Sequence, residues 1–376
     1  MREPELYFCK FRFLFSFFVT VSVLKMFLFP SSLSAAFRKS YDFSISVLTN
    51  KTDNNKLAEN YFLTRGLRNM LDFLKQEGID DHLIARIEQY RKSNPVAESD
   101  TIRIPSPKFK YYGKEIWQLA ITAILSGENI LLVGPKATGK NVFAENLSAV
   151  FRRPEWDISF YLNTDASSLI GTDTFKNGEV SFRKGPIYAC AEAGGFGILD
   201  EINMAKNESL AVLHATLDFR RIIDVPGYSR IQLAPSTRFI ATMNYGYAGT
   251  RELNEALASR FMVINMPIIS GDNLEKLLLQ QYPSLKKEYS SQLTALFEEI
   301  RRKCESSEIS TKALDLRGLL ASINLVYNGL SMRDALNIAI INKSFDEFER
   351  TLVEDLVSTR IDGRLTKKDF FDTEVS

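Results

Sequence analysis

Hydrophobic positions change their spacing as the chain of 376 residues proceeds. Between Lys56 and Lys92 they recur at three and four, with Leu67, Met70, Leu71 and Leu74 in phase, which predicts a helix. Gly78 ends that helix, and Asp80 or Asp81 caps a second one carrying Leu83, Ile84 and Ile87. Ser93 to Pro107 is polar, closes on Pro105 and Pro107, and reads as a linker. From Lys114 onward short apolar runs alternate with helical stretches. A helix is predicted at Ile116 to Leu125. Strands are predicted at Asn129 to Val133, Ile158 to Leu162, Gly197 to Leu199, Phe239 to Thr242 and Met262 to Met266. The run Asn129 to Val133 shows no polar alternation, as expected of a strand covered on both faces. Strand–helix alternation predicts an α/β fold with a parallel sheet flanked by helices. After Pro267 the spacing turns helical, at Leu274 to Leu279, Leu293 to Ile300, Ala313 to Tyr327 and Met332 to Ile341, so a second, all-α domain follows.

The composition is that of an ordinary globular chain, 45% hydrophobic and 25% charged. A net charge of +1 argues against a polyanion-binding surface, so nucleic acid is not an expected partner. Cys9, Cys190 and Cys304 are scattered, which fits a reduced compartment without a disulfide framework. His82 and His214 stand apart from any cysteine, which argues against structural zinc and a histidine triad. The N-terminus differs from the rest. Phe13 to Leu24 is apolar, Lys10 and Arg12 precede it, and Ser31 to Ala36 is rich in small residues. Three readings fit: a mis-assigned start with Met26 or Met70 as the initiator, a membrane anchor, or a targeting peptide. The expected location is cytoplasmic, with membrane contact left open by that segment. The expected organisation is a hydrophobic segment at 1–56, a helical extension at 57–100, an α/β nucleotide-binding domain at 101–268, a helical lid at 269–364 and a solvated tail at 365–376.

Gly134, Pro135, Lys136, Ala137, Thr138, Gly139, Lys140 and Asn141 follow the first apolar strand and open a helix through Phe143, Leu147 and Val150. This is the setting of a phosphate-binding loop: glycines let backbone N–H groups turn toward phosphate oxygens, and the helix N-terminus adds partial positive charge. Lys140 is placed to reach the β- and γ-phosphates. Asn141 stands where such loops carry Ser or Thr for Mg²⁺; its amide oxygen is a candidate ligand of different reach. The next apolar strand ends in Asp200 and Glu201. Asp200 is expected to hold Mg²⁺ and Glu201 to polarise the attacking water. Asn244, ending the Phe239 to Thr242 strand, is placed to orient that water beside Glu201. Arg260 closes a short helix and is a candidate arginine finger for a neighbouring subunit, or a solvated helix-end cation. His214 reads as packed or interfacial rather than catalytic.

These strings, together with Asp165 to Gly171 and Gly185–Pro186–Ile187 through Asn203, resemble the MoxR-type AAA+ ATPases, dynein-related proteins that include the relatives accompanying nitric-oxide reductase and rubisco. The resemblance spans roughly Ile104 to Asp362. It implies an AAA+ core with a C-terminal α-helical lid, ATP and Mg²⁺ as ligands, and ATP hydrolysis. Gly134 to Asn141 match the Walker A motif, Asp200 and Glu201 the Walker B pair, Asn244 sensor 1, Arg260 the finger and Arg317 sensor 2. Asn163 is similar to a polar residue that couples the second strand to the glutamate. Phe175 to Arg183, with the turn signal Asn177–Gly178, matches the helix-2 insert that faces the ring pore in the family. Arg221 to Leu233, around Pro226–Gly227, matches the hairpin before sensor 1. The implied assembly is a homo-oligomeric ring, expected as a hexamer. The implied partner is a protein client, often with a von Willebrand A-type domain, remodelled in a chaperone-like role. Three other readings remain open at this stage: an ATP-gated scaffold with weak hydrolysis, a nucleic-acid or GTP-linked motor, and a solitary P-loop kinase.

Overall fold

The structure, a computed structural model, describes residues 70–176, 178–245 and 252–372; the expectations for the hydrophobic N-terminal segment and for Leu67 lie outside the described residues. Residues 70–76 are helical, and Gly78, at φ 77°, ends the turn. Helix α1 (Asp81–Ser93) follows with Asp80 at its N-cap. The expected linker contains a short 3₁₀-helix of two turns, Glu98–Arg103. In chain order come α2 (Lys114–Leu125), β1 (Ile130–Val133), α3 (Lys140–Phe151), β2 (Glu155–Ser159), α4 (Ala166–Ile170), β3 (Gly171–Lys176), β4 (Glu179–Lys184), α5 (Pro186–Ala193) and β5 (Phe196–Asp200). Then α6 (Asn207–Leu210), α7 (His214–Leu217), β6 (Ile222–Ile223), β7 (Ile231–Gln232), β8 (Arg238–Met243), α8 (Glu255–Ala258) and β9 (Met262–Asn265) complete the α/β part.

Five strands form one parallel sheet in the order β2-β5-β8-β1-β9. Alternate residues of β1 enter different cores: Ile130 and Leu132 pack on one face of the sheet, Leu131 and Val133 on the other. That double coverage explains the unbroken apolar run. Each such side chain contributes roughly 1.5–3 kcal/mol through burial. The second strand sits three residues earlier than Ile158 to Leu162. As an edge strand, β2 buries Trp156 and Ile158 while Asp157 and Ser159 face water. Its signal is therefore alternation, and Tyr161 and Leu162 lie exposed in the following turn.

The lid consists of α9 (Gly271–Gln281), α10 (Lys287–Glu305), α11 (Leu316–Tyr327), α12 (Met332–Ala339), α13 (Glu347–Arg360) and α14 (Lys367–Phe370). Ser270, Asp315, Ser331 and Asp346 start four of these helices by accepting a hydrogen bond from a first-turn N–H. One hydrophobic core runs from the β1 face of the sheet through Met266 into the lid around Leu278, Leu293 and Phe297. The expected solvated tail is corrected here. Phe370 is fully buried, its ring stacks on Tyr289 at 4.3 Å, and Lys286 Nζ donates to Asp369 O at 2.6 Å. Charged spacing hid it, because Phe370 and Phe371 alone carry the burial in a four-residue helix. Among the described residues no helix is long and apolar enough to cross a membrane.

Candidate functional site

Strand order decides which loops meet. With β8 between β5 and β1, the C-terminal ends of three strands bring the glycine loop, Asp200–Glu201 and Asn244 to one edge of the sheet, where ligands bind in such folds. The lid stands across from them. Between the two lies a cleft of about 1050 Å³, lined by Lys136 to Asn141, Asp200, Glu201, Thr242, Asn244 and, from the lid, Arg317.

The loop leaves β1 at Gly134. A Cβ there would sit 2.6 Å from Met266 O, so the backbone of the loop lies against β9 in a way only glycine permits. Gly139 turns the chain into α3 with φ 78°, and Ala137 also has positive φ at 63°. Lys140 is buried. Its ammonium donates to Gly134 O at 2.9 Å, Pro135 O at 2.8 Å and Thr138 Oγ1 at 3.2 Å. Burial pulls its pKa down to about 8, and the carboxylates of Asp200 and Glu201 pull the other way. Asn141 is exposed at the cleft.

Asp200 and Glu201 are held by the neighbouring strand. Thr242 Oγ1 donates to Asp200 Oδ1 at 2.6 Å and accepts from the Glu201 N–H at 3.0 Å. Glu201 has φ 53°, the left-handed conformation uncommon outside glycine. Its carboxylate Oε1 accepts from Asn244 Nδ2 at 3.0 Å. Asn203 Nδ2 donates to Asn244 O at 3.0 Å, closing a ring of contacts between the two strand ends. Thr242 belongs to none of the motifs legible in the sequence. A threonine two residues before Asn244 was the available signal, but its meaning depends on β5 and β8 being neighbours. The glutamate's partner is Asn244 and not Asn163, which lies in the exposed turn after β2, outside the cleft lining.

Arg260 does not line this cleft. Its guanidinium donates to His214 O at 3.2 Å and to Ala256 O, and lies 3.6 Å from Asp218 Oδ2. His214 is half-buried beside it, with its pKa lowered by burial and by Arg260. Arg317 lies in the first turn of α11 and faces the cleft from the lid. Both hairpins form where the turn signals place them: β3 pairs β4 from Gly171↔Lys184 to Lys176↔Glu179, and β6 pairs β7. Asn177 itself lies outside the described residues. The two hairpins touch. Tyr228 OH donates to Asp173 Oδ1 at 2.7 Å, and the Phe182 ring lies 5.0 Å from that of Tyr228. Phe175 and Val180, near the tip of the first hairpin, are exposed.

These features fit a nucleoside triphosphate with Mg²⁺. A cradle too close for a Cβ, a buried lysine over it and two acids at its edge form the donor set that phosphates and a hard cation require. A segment before α2 borders the same cleft and is tied to α3. Asn146 Nδ2 donates to Phe109 O at 2.8 Å, Asn146 Oδ1 accepts from Tyr111 N at 3.3 Å, and Tyr111 packs on Phe143 at 4.7 Å.

The family model described as AAA domain (dynein-related subfamily) matches residues 129–261, the stretch from the first strand to the end of α8. The chain is 30% identical to the uncharacterized protein YojN of Bacillus subtilis over 273 residues, which is 71% of this chain and 90% of that protein. It is 34% identical to an uncharacterized protein of Staphylococcus haemolyticus over 236 residues, 61% of this chain and 89% of that one. An uncharacterized protein of Staphylococcus aureus is 35% identical over the same length.

Proposed function

This chain belongs to the AAA domain family of the dynein-related subfamily, and on that premise we propose that it binds ATP with Mg²⁺ in the cleft and hydrolyses it. The observation that carries the reading is the convergence of Lys140, Asp200, Glu201, Thr242 and Asn244 on one cleft, with Arg317 facing them. Lys140 neutralises phosphate charge while the loop backbone cradles the oxygens. Asp200 and Asn141 are the residues that would hold Mg²⁺, which offsets negative charge on the phosphates. Glu201 accepts a proton from the attacking water, and Asn244 fixes that carboxylate. Glu201→Gln tests this: phosphate release should stop while ATP binding persists. Unchanged release in that variant would refute the role of Glu201.

Arg260 does not line its own cleft, which supports a role on a neighbouring subunit and a ring in which each site is completed by the next copy. We take the ring to be a hexamer that remodels a protein client in the manner of MoxR-type ATPases. The two joined hairpins are the surface we assign to the client, and a von Willebrand A-type domain is the partner class the resemblance favours. A second reading, an assembly that binds ATP and barely turns it over, is favoured by Asn141. If Asn141→Thr raises Mg²⁺-dependent turnover by an order of magnitude or more, this reading gains; no change leaves the first in place.

A further inference from the structure

The lid offers the cleft one exposed guanidinium, Arg317, and the residues around it form a charge competition. Asp315 is the N-cap of α11, and its Oδ1 accepts from the Arg317 N–H at 3.0 Å. Its other oxygen pairs with the ammonium of Lys343, which ends the 3₁₀ turn after α12. Asp315, Arg317 and Lys343 all line the cleft. Among the described residues the Arg317 side chain makes no ion pair. Asp315 is an anion two residues from Arg317 and already bonded to its backbone N–H, and Lys343 occupies its second oxygen.

We propose that Lys343 is a positioning residue for nucleotide binding: by engaging Asp315 it keeps that carboxylate off Arg317 and leaves the guanidinium available to phosphate. This rests on the ATP-binding reading above. Without Lys343, Asp315 and Arg317 pair within the first turn of α11, and phosphate must displace an internal anion before it binds. The cap is separable from the charge. Asparagine caps a helix about as well as aspartate, so Asp315→Asn removes the competing anion and leaves α11 started.

The experiment is a fluorescence titration of the full chain with an ATP analogue carrying a fluorescent ribose substituent, in Mg²⁺ buffer, with thermal melting to establish folding. Lys343→Met should weaken binding by about three- to fivefold, the upper part of the scale expected of one partly exposed charge contact. Lys343→Arg should keep the wild-type affinity. The double variant Lys343→Met/Asp315→Asn should return to within about twofold of wild type, which a purely structural role of the lysine does not allow. Wild-type affinity in Lys343→Met overturns the proposal, and so does a double variant as weak as the single one. If Lys343→Met does not fold, Asp315→Asn alone decides: binding as tight as wild type or tighter supports the competition, and weaker binding overturns it. Failure of the wild-type protein to bind would sink the ATP reading itself, a different result from any of these.

Discussion

Replacing Thr242 by valine removes one oxygen from a buried position and keeps the shape of the side chain. Two contacts go with it: the donation to Asp200 Oδ1 at 2.6 Å and the acceptance from Glu201 N–H at 3.0 Å. A hydrogen bond to a charged group contributes about 1.5–3 kcal/mol, and a backbone N–H left unsatisfied in the interior costs about 1–3 kcal/mol. Asp200 borders the cleft and regains water, and the Glu201 N–H is only part-buried, so the lower end of each range applies and the sum comes to about 2.5 kcal/mol. The functional effect is separate from this loss of stability. The hydroxyl ties the backbone at Glu201, which sits at φ 53°, to the strand carrying Asn244. Once released, the acid pair loses its alignment, and turnover should fall by about 10- to 100-fold. Urea unfolding measures the first quantity and steady-state phosphate release the second; Thr242→Ser should recover most of both. A valine variant within about 0.5 kcal/mol of wild type and fully active would show that the hydroxyl does not organise the acids.

Four other outcomes follow from the same geometry. Gly134→Ala forces a Cβ against Met266 O, at 2.6 Å, and should abolish nucleotide binding while leaving far-ultraviolet circular dichroism unchanged; wild-type binding would contradict the cradle. Because burial lowers the Lys140 pKa to about 8, the folded protein sheds that proton before the unfolded chain does. Affinity for ATP should therefore fall above about pH 8, while the stability of the nucleotide-free protein rises toward pH 10, both read by titration across that range. Burial raises Glu155 to about 7, and one of its oxygens has no hydrogen-bond partner among the described residues. The folded state holds this proton longer than the unfolded chain, so stability falls as pH rises toward 7, and Glu155→Gln should raise the urea midpoint at pH 8 and not at pH 5. Arg260→Ala should keep nucleotide binding and lose turnover, and titrating it into wild-type protein should depress activity more than simple dilution does.

The parts of this chain that were legible in its sequence are those whose signal is local. The run Ile130 to Val133 has no polar alternation because both faces of β1 are covered, and the loop after it announces itself by glycines and a lysine at fixed spacing. The hairpins were equally readable, since Asn177–Gly178 and Pro226–Gly227 leave the backbone few alternatives. What stayed hidden depends on neighbours distant in the chain. The β2 window slipped because edge position, which no local pattern encodes, exposes Asp157 and Ser159. Thr242 acquires its role only when β8 lies beside β5, and Asp218 becomes the partner of Arg260 only through the fold. Lys343 reaches Asp315 from another helix, 28 residues on. Phe370 looked like part of a charged end because only two rings among charged neighbours, Phe370 on Tyr289 and Phe371 on Tyr327, hold the segment in place.

Calorimetric titration of the full chain with ATP and Mg²⁺, run beside Lys140→Ala, tests the grip on phosphate directly. Saturable binding should appear for the wild-type protein at sub-millimolar nucleotide, roughly the range in which enzymes meet their substrates, and should vanish in a variant that still melts cooperatively. No heat of binding in the wild-type protein, or the same affinity in the alanine variant, would contradict the account.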